Sequence, residues 1–246
     1  MRKWISWLLI FLIPLILGLG LLRSFLSSDM FMVKEVEVAD LGGSEVPAYL
    51  RSQLRDLETQ LAQVKGQSIW KISMSSLIRE VQRRAWVESA AIARQFPDKI
   101  RLTFRKKTPL AGIVVDSRHM ALVAEDGALY PAAPFQQVPE VVLLGGTELR
   151  LSSNLRRRAI MVYREIPEAG LLRRGDVAEI IYTREDGFVL FVAGGNTQIL
   201  LGEDDFAVKL ARVEKVLSYL RSKSIVGRVI DANYQKKVLV RLRKGA

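Results

Sequence analysis

A single histidine and no cysteine narrow the chemistry open to this chain of 246 residues. Acyl transfer by a serine or cysteine needs an imidazole beside the nucleophile. His119 stands instead between Arg118 and Met120, in a stretch that alternates like a strand, and reads as a surface or satisfied strand residue. The lack of cysteine removes disulfide frameworks and thiolate metal sites, and no run of the sequence groups three or four metal ligands. The acidic pairs Glu125-Asp126, Glu185-Asp186 and Asp204-Asp205 fall in turns or at a helix start, where carboxylates have a local structural use. Gly145-Gly146 and Gly194-Gly195 break loops, and neither leads into the G-K-[ST] ending of a phosphate cradle. Only a carboxylate pair assembled by folding would escape this reading. The residues predict a protein that is not an enzyme and takes no cofactor or metal.

Binding chemistry is better represented. Lys237-Val-Leu-Val-Arg-Leu242 is an apolar strand bracketed by Lys236, Lys237, Arg241, Arg243 and Lys244. Coming after every other element, it is a candidate sheet edge with unpaired N–H and C=O groups. The charges are either the usual protection of such an edge or the frame for a partner that adds a strand through main-chain bonds. In the second case they select an acidic partner segment.

Several elements must position that strand, and the first of them is Trp4 to Leu22, nineteen residues without a charge, fenced by Arg2-Lys3 and Arg23. As a helix the run would span roughly 28 Å, close to the hydrocarbon core of a bilayer. Trp4 and Trp7 suit the membrane interface. A cleavable signal peptide would have a shorter apolar region and small residues at a cleavage site, and no A-x-A pattern follows here. The expectation is an uncleaved single-pass anchor. Residues 1–3 would be cytoplasmic and the rest exported, a type II arrangement in the inner membrane.

Three of the 37 Lys and Arg precede Ser24, and none of the 26 Asp and Glu do, so the exported part carries a net charge of +8. Triplets and pairs such as Arg156-Arg157-Arg158, Arg173-Arg174 and Lys236-Lys237 make either a solvated basic surface or one that attracts anionic lipid or cell-wall polymer. Nucleic acid is not expected as a partner, because no zinc knuckle or basic-aromatic stretch is present.

About 220 residues after the anchor suit two modest domains. Phe31 to Val38 reads as a strand. A helix from about Pro47 carries an apolar stripe of Leu50, Leu54, Leu57, Leu61 and Val64, and Gly66 stops it. A second helix begins at Ser73, a good N-cap, with Met74, Leu77, Ile78 and Val81 on one face. Strands at 87–96 and 100–105 flank the Pro97-Asp98 turn and should form a hairpin. The order β-α-α-β-β over 31–106 predicts two helices on one face of a three-stranded sheet. From 107 to 246 the pattern is strand-rich, with candidates at 112–116, 119–124, 128–130, 141–144, 178–183, 188–193, 197–201, 228–231 and 237–242. Helices are expected over 153–165 and from the Asp204-Asp205 cap, the latter striped by Phe206, Leu210, Val213, Leu217 and Leu220. The fold class is α+β, with helices on one side of the second domain's strands.

This order of parts resembles the bacterial cell division family FtsQ/DivIB, whose first domain is a POTRA domain. Phe31-Met-Val33-Lys-Glu-Val36-Glu-Val38 is similar to the family's F-x-V-x-x-V-x-V strand, and Gly66-Gln-Ser-Ile-Trp70 to its G-x-x-(L/I)-(F/W) stretch. Trp86-Val87-Glu88-Ser89-Ala90, then Arg94-Gln95-Phe96-Pro97-Asp98, resembles its W-V-x-x-A and R-x-W-P-D. Pro109-Leu110-Ala111 matches P-x-A, and Lys209-Leu-Ala-Arg212, Val229-Ile-Asp231 and Tyr234 are similar to K-L-x-R and D-L-R-Y. Departures are Lys106, where the family has an acid, Ala232-Asn233 for L-R, and no aromatic after Tyr234. Trp86 and Trp70 are expected to pack in the core. The resemblance implies a non-enzymatic scaffold at the septum, joining early division components to the periplasmic coiled-coil proteins FtsB and FtsL and to the septal peptidoglycan synthases. It also implies a partner-binding strand over Tyr234, Gln235, Lys236, Lys237, Val238, Leu239, Val240 and Arg241. Another POTRA-bearing assembly or secretion factor is the alternative, although about 140 residues with two good helices do not supply a barrel.

Overall fold

The computed structural model describes residues 29–43, 45–194, 197–234 and 237–242. The predicted tail at 1–3 and anchor at 4–22 lie outside the described residues. Among those described, no helix is long and apolar enough to cross a membrane. The chain divides at Lys106 and Lys107 into two compact units, with Pro47–Tyr49 grouped with the second.

The first unit is built around one alternating strand. It contains β1 (Glu35–Asp40), α1 (Arg51–Ala62), α2 (Met74–Gln82), β2 (Val87–Gln95) and β3 (Lys99–Lys106). β3 is central, antiparallel to β2 and parallel to β1. Parallel neighbours need a crossover, and the two helices lie in it. Ile100, Leu102 and Phe104 of β3 are all but fully buried. Two of the alternate residues meet carboxylates of β1, Lys99 reaching Glu35 at 2.5 Å and Arg101 reaching Glu37 at 2.9 Å, and Lys106 at the end of the strand pairs with Asp40.

The helices bury the faces that their spacing predicts, with one refinement. Leu50, Leu57 and Leu61 are buried, whereas Leu54 and Val64 are half-buried and lie at the margin of the stripe. Ser73 caps α2, its Oγ accepting from the Ser76 amide at 3.3 Å. The expected strand at Phe31 begins only at Glu35. Phe31 closes a 3-10 turn, and Phe31 and Val33 both pack in one cluster with Ile69, Ile72 and Ile100, so they reach the core from irregular backbone ahead of the strand.

The second unit is one nine-stranded sheet with helices. Its elements are β4 (Pro109–Val114), β5 (His119–Ala124), β6 (Ala133–Pro134), β7 (Val142–Gly145), α3 (Thr147–Leu151), α4 (Ser153–Glu165), β8 (Val177–Thr183), β9 (Gly187–Val192), β10 (Thr197–Gly202), α5 (Phe206–Ser222), β11 (Gly227–Asp231) and β12 (Leu239–Leu242). The strand order is β12-β11-β10-β9-β8-β7-β4-β5-β6. The strand expected at 128–130 is reduced to one bridge between Leu129 and Val123. Gly187 and Gly202 both have positive φ, and a Cβ on Gly187 would lie 2.4 Å from the Gly202 carbonyl carbon. Two side chains could not face each other across this end of the β9–β10 pairing.

Two basic residues are buried, and one of them, Arg156, is among those read from the sequence as a basic surface. Arg156 is 6 % exposed and donates to the carbonyls of Gly127 at 2.7 Å and of Leu149 and Arg150 at 3.0 Å. It thereby ties the 125–127 turn to α3 and α4. Lys209, on the first turn of α5, is 4 % exposed and reaches Asp204 at 2.6 Å. The expected acidic cap is corrected accordingly: Asp205 has φ of 49° and makes no side-chain cap bond, while Asp204 pairs with Lys209.

Asp40 gives the first unit an acid-sensitive contact. Burial alone would raise its carboxyl pKa, but hydrogen bonds from Lys106 and the Gly42 amide, with the Lys106 charge, outweigh it and hold the group below its ordinary value. Such a carboxyl contributes stability above its unfolded value of about 4, lost as pH falls through the folded value. Asp40→Asn is expected to lower the Tm of this unit at neutral pH and to flatten its decline below about pH 4. Leu57→Asp should cost about 4 kcal/mol or more by placing an unpaired charge in the core, read by denaturant unfolding of the same unit.

Candidate functional site

β12 stands at one end of the large sheet and pairs on one side with β11, matching Asp231 to Leu239, Ile230 to Val240 and Val229 to Arg241. Among the described residues no strand lies on its other side. Val238 and Val240 pack on the core cluster. Successive side chains alternate between faces, so Lys237, Leu239 and Arg241 share the opposite one, and all three are exposed. Leu239 and Leu242 are 42 % and 54 % exposed. An unpaired main chain beside exposed apolar side chains and two cations is suited to accept an extended segment carrying acidic residues.

The other edges suit this less. β6, at the far end, is two residues long and includes Pro134, which has no N–H to donate. In the first unit β2 is also an edge, but its exposed positions include Ser89, Ala91 and Ala93, which give a partner little side-chain surface.

α5 holds the approach to β12 in place. The Arg212 guanidinium donates to the Tyr234 carbonyl at 3.2 Å, and the Lys237 ammonium sits 5.2 Å from the centre of the Tyr234 ring. Ala232 is fully buried and its amide donates to Leu200 at 2.9 Å. The Asn233 amide donates to the Asp231 carboxylate at 3.0 Å. Tyr234 itself is 44 % exposed. Gln235 and Lys236 lie outside the described residues. The Lys209-x-x-Arg212 spacing was legible in the sequence, but the carbonyl that Arg212 holds was not, because a main-chain acceptor leaves no residue-type signal.

The motif residues of the first unit occupy different places. Trp86 is buried, edge-on to Phe104 at 5.3 Å, with Val87 buried beside it in sequence and Ala90 half-buried on β2. Arg94 donates to the carbonyls of Ile69 at 2.9 Å and Ile72 at 2.8 Å, fastening the link between the helices onto β2. Pro97 lies in the β2–β3 turn after a cis bond, and Pro109 opens β4. Trp70 departs from the expected core packing. It is 46 % exposed and lies against Phe96, itself 53 % exposed.

No group of three or more His, Cys, Asp or Glu suited to a metal occurs among the described residues. His119 Nδ1 lies 3.0 Å from Asp116, in a local turn on the surface.

Comparison with known proteins bears on both units. Residues 52–105 match the POTRA domain, FtsQ-type, and residues 112–233 match the C-terminal domain of cell division protein FtsQ/DivIB. The chain belongs to the FtsQ/DivIB family. Its relatives include the cell division protein FtsQ of Syntrophotalea carbinolica, 24 % identical over 89 % of this chain and 77 % of the relative. That of a Geobacter species is 22 % identical over 85 % of this chain and 78 % of the relative, and that of Geotalea daltonii is 22 % identical over 91 % and 80 %. This FtsQ/DivIB member is thus a cell division protein with a POTRA domain and a strand-rich α+β fold.

Removing the Arg212 contact should loosen the site without unfolding the unit around it. Arg212→Ala is expected to speed amide hydrogen exchange across residues 237–242 while leaving that of α5 and β10 close to wild type. Unchanged exchange at 237–242 would show that Arg212 does not hold the edge.

Proposed function

We propose that the protein is a non-enzymatic scaffold of the division machinery, anchored by Trp4–Leu22 as a single-pass type II protein of the inner membrane, with the bulk of the chain periplasmic at the septum. It links early division components to FtsB-like and FtsL-like coiled-coil proteins and to the septal peptidoglycan synthase complex. The docking element is the segment from Tyr234 through Lys237, Val238, Leu239, Val240 and Arg241, with Gln235 and Lys236 between them. The observation that carries this reading is the β12 edge, unpaired on one side among the described residues and flanked by exposed apolar and basic side chains. A partner strand would continue the sheet through main-chain bonds, while Lys237 and Arg241 favour acidic residues beside it. Membership of a family of cell division proteins supports the same assignment.

Proline at an edge removes a main-chain donor and fixes φ. Leu239→Pro in the full-length chain is expected to weaken binding of the periplasmic FtsB-like partner by about tenfold or more, equivalent to at least roughly 1.4 kcal/mol. Lys237→Glu with Arg241→Glu, which leaves the main chain intact, should weaken it in a salt-dependent way. Unchanged affinity in both variants, measured by calorimetry or interferometry, would exclude β12 as the docking edge.

A further inference from the structure

The exposed aromatic pair on the first unit has no use in the scaffold reading, and its position suggests one. Trp70 and Phe96 lie with ring centres 4.7 Å apart, and Phe31 joins them with its ring 5.9 Å from that of Trp70. Trp70 and Phe96 are each about half exposed, as is Met30 at 45 %. The structure around them is firm. The Ile69 amide donates to the Phe31 carbonyl at 2.9 Å, and Arg94 holds the carbonyls of Ile69 and Ile72. The patch is therefore held from within the unit, with its apolar rings directed outward and the exposed Lys71 next to Trp70.

Its place along the chain identifies what it faces. Six residues, Arg23 to Ser28, separate the apolar run ending at Leu22 from Asp29. Even fully extended, a segment of that length reaches only about 20–25 Å. Met30 and Phe31 thus lie within a short tether of the hydrocarbon boundary, and Trp70 and Phe96 lie against Phe31 or its neighbour. The opposite end of the same sheet is marked by Glu88 and Arg105, beside the pairing of Val87 with Lys106. At about 3.4 Å per residue, the six to seven positions from Arg94 back to Glu88 set these ends roughly 20 Å apart. Aromatic rings favour the membrane–water interface, and a lysine beside them suits headgroup phosphates.

We propose that Trp70 and Phe96, with Met30 and Lys71, form a seat for the outer surface of the lipid bilayer, which sets this unit down on the membrane by the end where the chain enters it. The proposal rests on Trp4–Leu22 being a membrane anchor. A tether limits distance but leaves orientation free, and two to three interfacial side chains would fix one end of the unit toward the lipid.

The chain contains no cysteine, so single nitroxide labels can be introduced without background. Full-length Lys71→Cys, Glu88→Cys and Leu12→Cys are labelled and reconstituted in nanodiscs containing anionic lipid. Collisions with oxygen, which concentrates in lipid, and with a water-soluble nickel chelate then report depth. The proposal expects an oxygen-to-nickel ratio several-fold higher at 71 than at 88, falling to the level at 88 when Trp70→Ser and Phe96→Ser are added. A label at 71 as water-exposed as that at 88, with the label at 12 in hydrocarbon, overturns the seat and leaves the anchor standing. A label at 71 shielded from both reagents shows that protein covers the patch, and this also overturns it. A label at 12 outside hydrocarbon removes the anchor reading and the seat together. The wild-type aromatic background carries the first comparison, so the outcome does not depend on the serine variant folding.

Discussion

The packing of α5 on the large sheet determines where the free edge at β12 lies. Leu210, Val213 and Leu220 of α5 share one core cluster with Ile199 and Leu201 of β10 and Ile230 of β11. Because β10 and β11 are parallel, the chain must cross between them, and burial of this helical stripe keeps the crossover on the sheet. β11 is then held beside β10, and β12 can only turn back along its free side. The contacts that finish the arrangement are polar and few. Arg212 reaches forward to the Tyr234 carbonyl, Thr197 Oγ1 donates to the Gly227 carbonyl at 2.9 Å, and the Ala232 amide returns to Leu200. The hydrophobic contacts provide the bulk of the stabilisation, and the polar ones choose the register.

Charge is used differently in the two units. In the first, the carboxylates of β1 and the cations of β3 form a ladder at positions 35, 37 and 40 against 99, 101 and 106. The two exposed pairs, at 35/99 and 37/101, each contribute little, typically about 1 kcal/mol or less, whereas Lys106–Asp40 is largely buried; together they oppose like-charge alternatives and so favour one pairing of two parallel strands. In the second unit, Arg156 and Lys209 are buried with carbonyl or carboxylate partners and act as ties between loops and helices. The net positive charge is therefore not one uniform surface property. Part of it is consumed inside the structure, and the remainder includes Lys237 and Arg241 on the exposed face of β12.

The sequence made the periodic elements legible and the exceptions to periodicity illegible. Ile100, Leu102 and Phe104 alternate, and β3 follows from them; the α5 spacing likewise gave a helix with its buried face. Where one residue type had two plausible settings, sequence could not choose between them. Trp70 and Trp86 are the same residue, each in a short link that follows a helix, yet one is half exposed and the other buried, because Phe104 offers Trp86 a partner in the core while Trp70 meets the outward Phe96. Arg156 looked like its neighbours Arg157 and Arg158, since only the folded turn at Gly127 presents the carbonyl that draws it inward. The short α3 lacked enough residues to show a period. For the candidate site, the strand at 237–242 was visible as an alternating run, whereas its position at a free edge depended on a strand order that no local pattern encodes.

The strand order from β7 to β12 has a consequence for the life of the molecule. Six successive strands in the chain are also successive neighbours in the sheet, so the sheet extends in one direction as the chain is laid down. Among the described residues, each strand of this run before β12 has its outer edge covered by the strand that follows. The edge presented by β12 therefore requires β11, and with it the α5 crossover, to be in place. A binding partner that reads this edge would thereby distinguish completed molecules from unfinished ones, without any separate means of inspection.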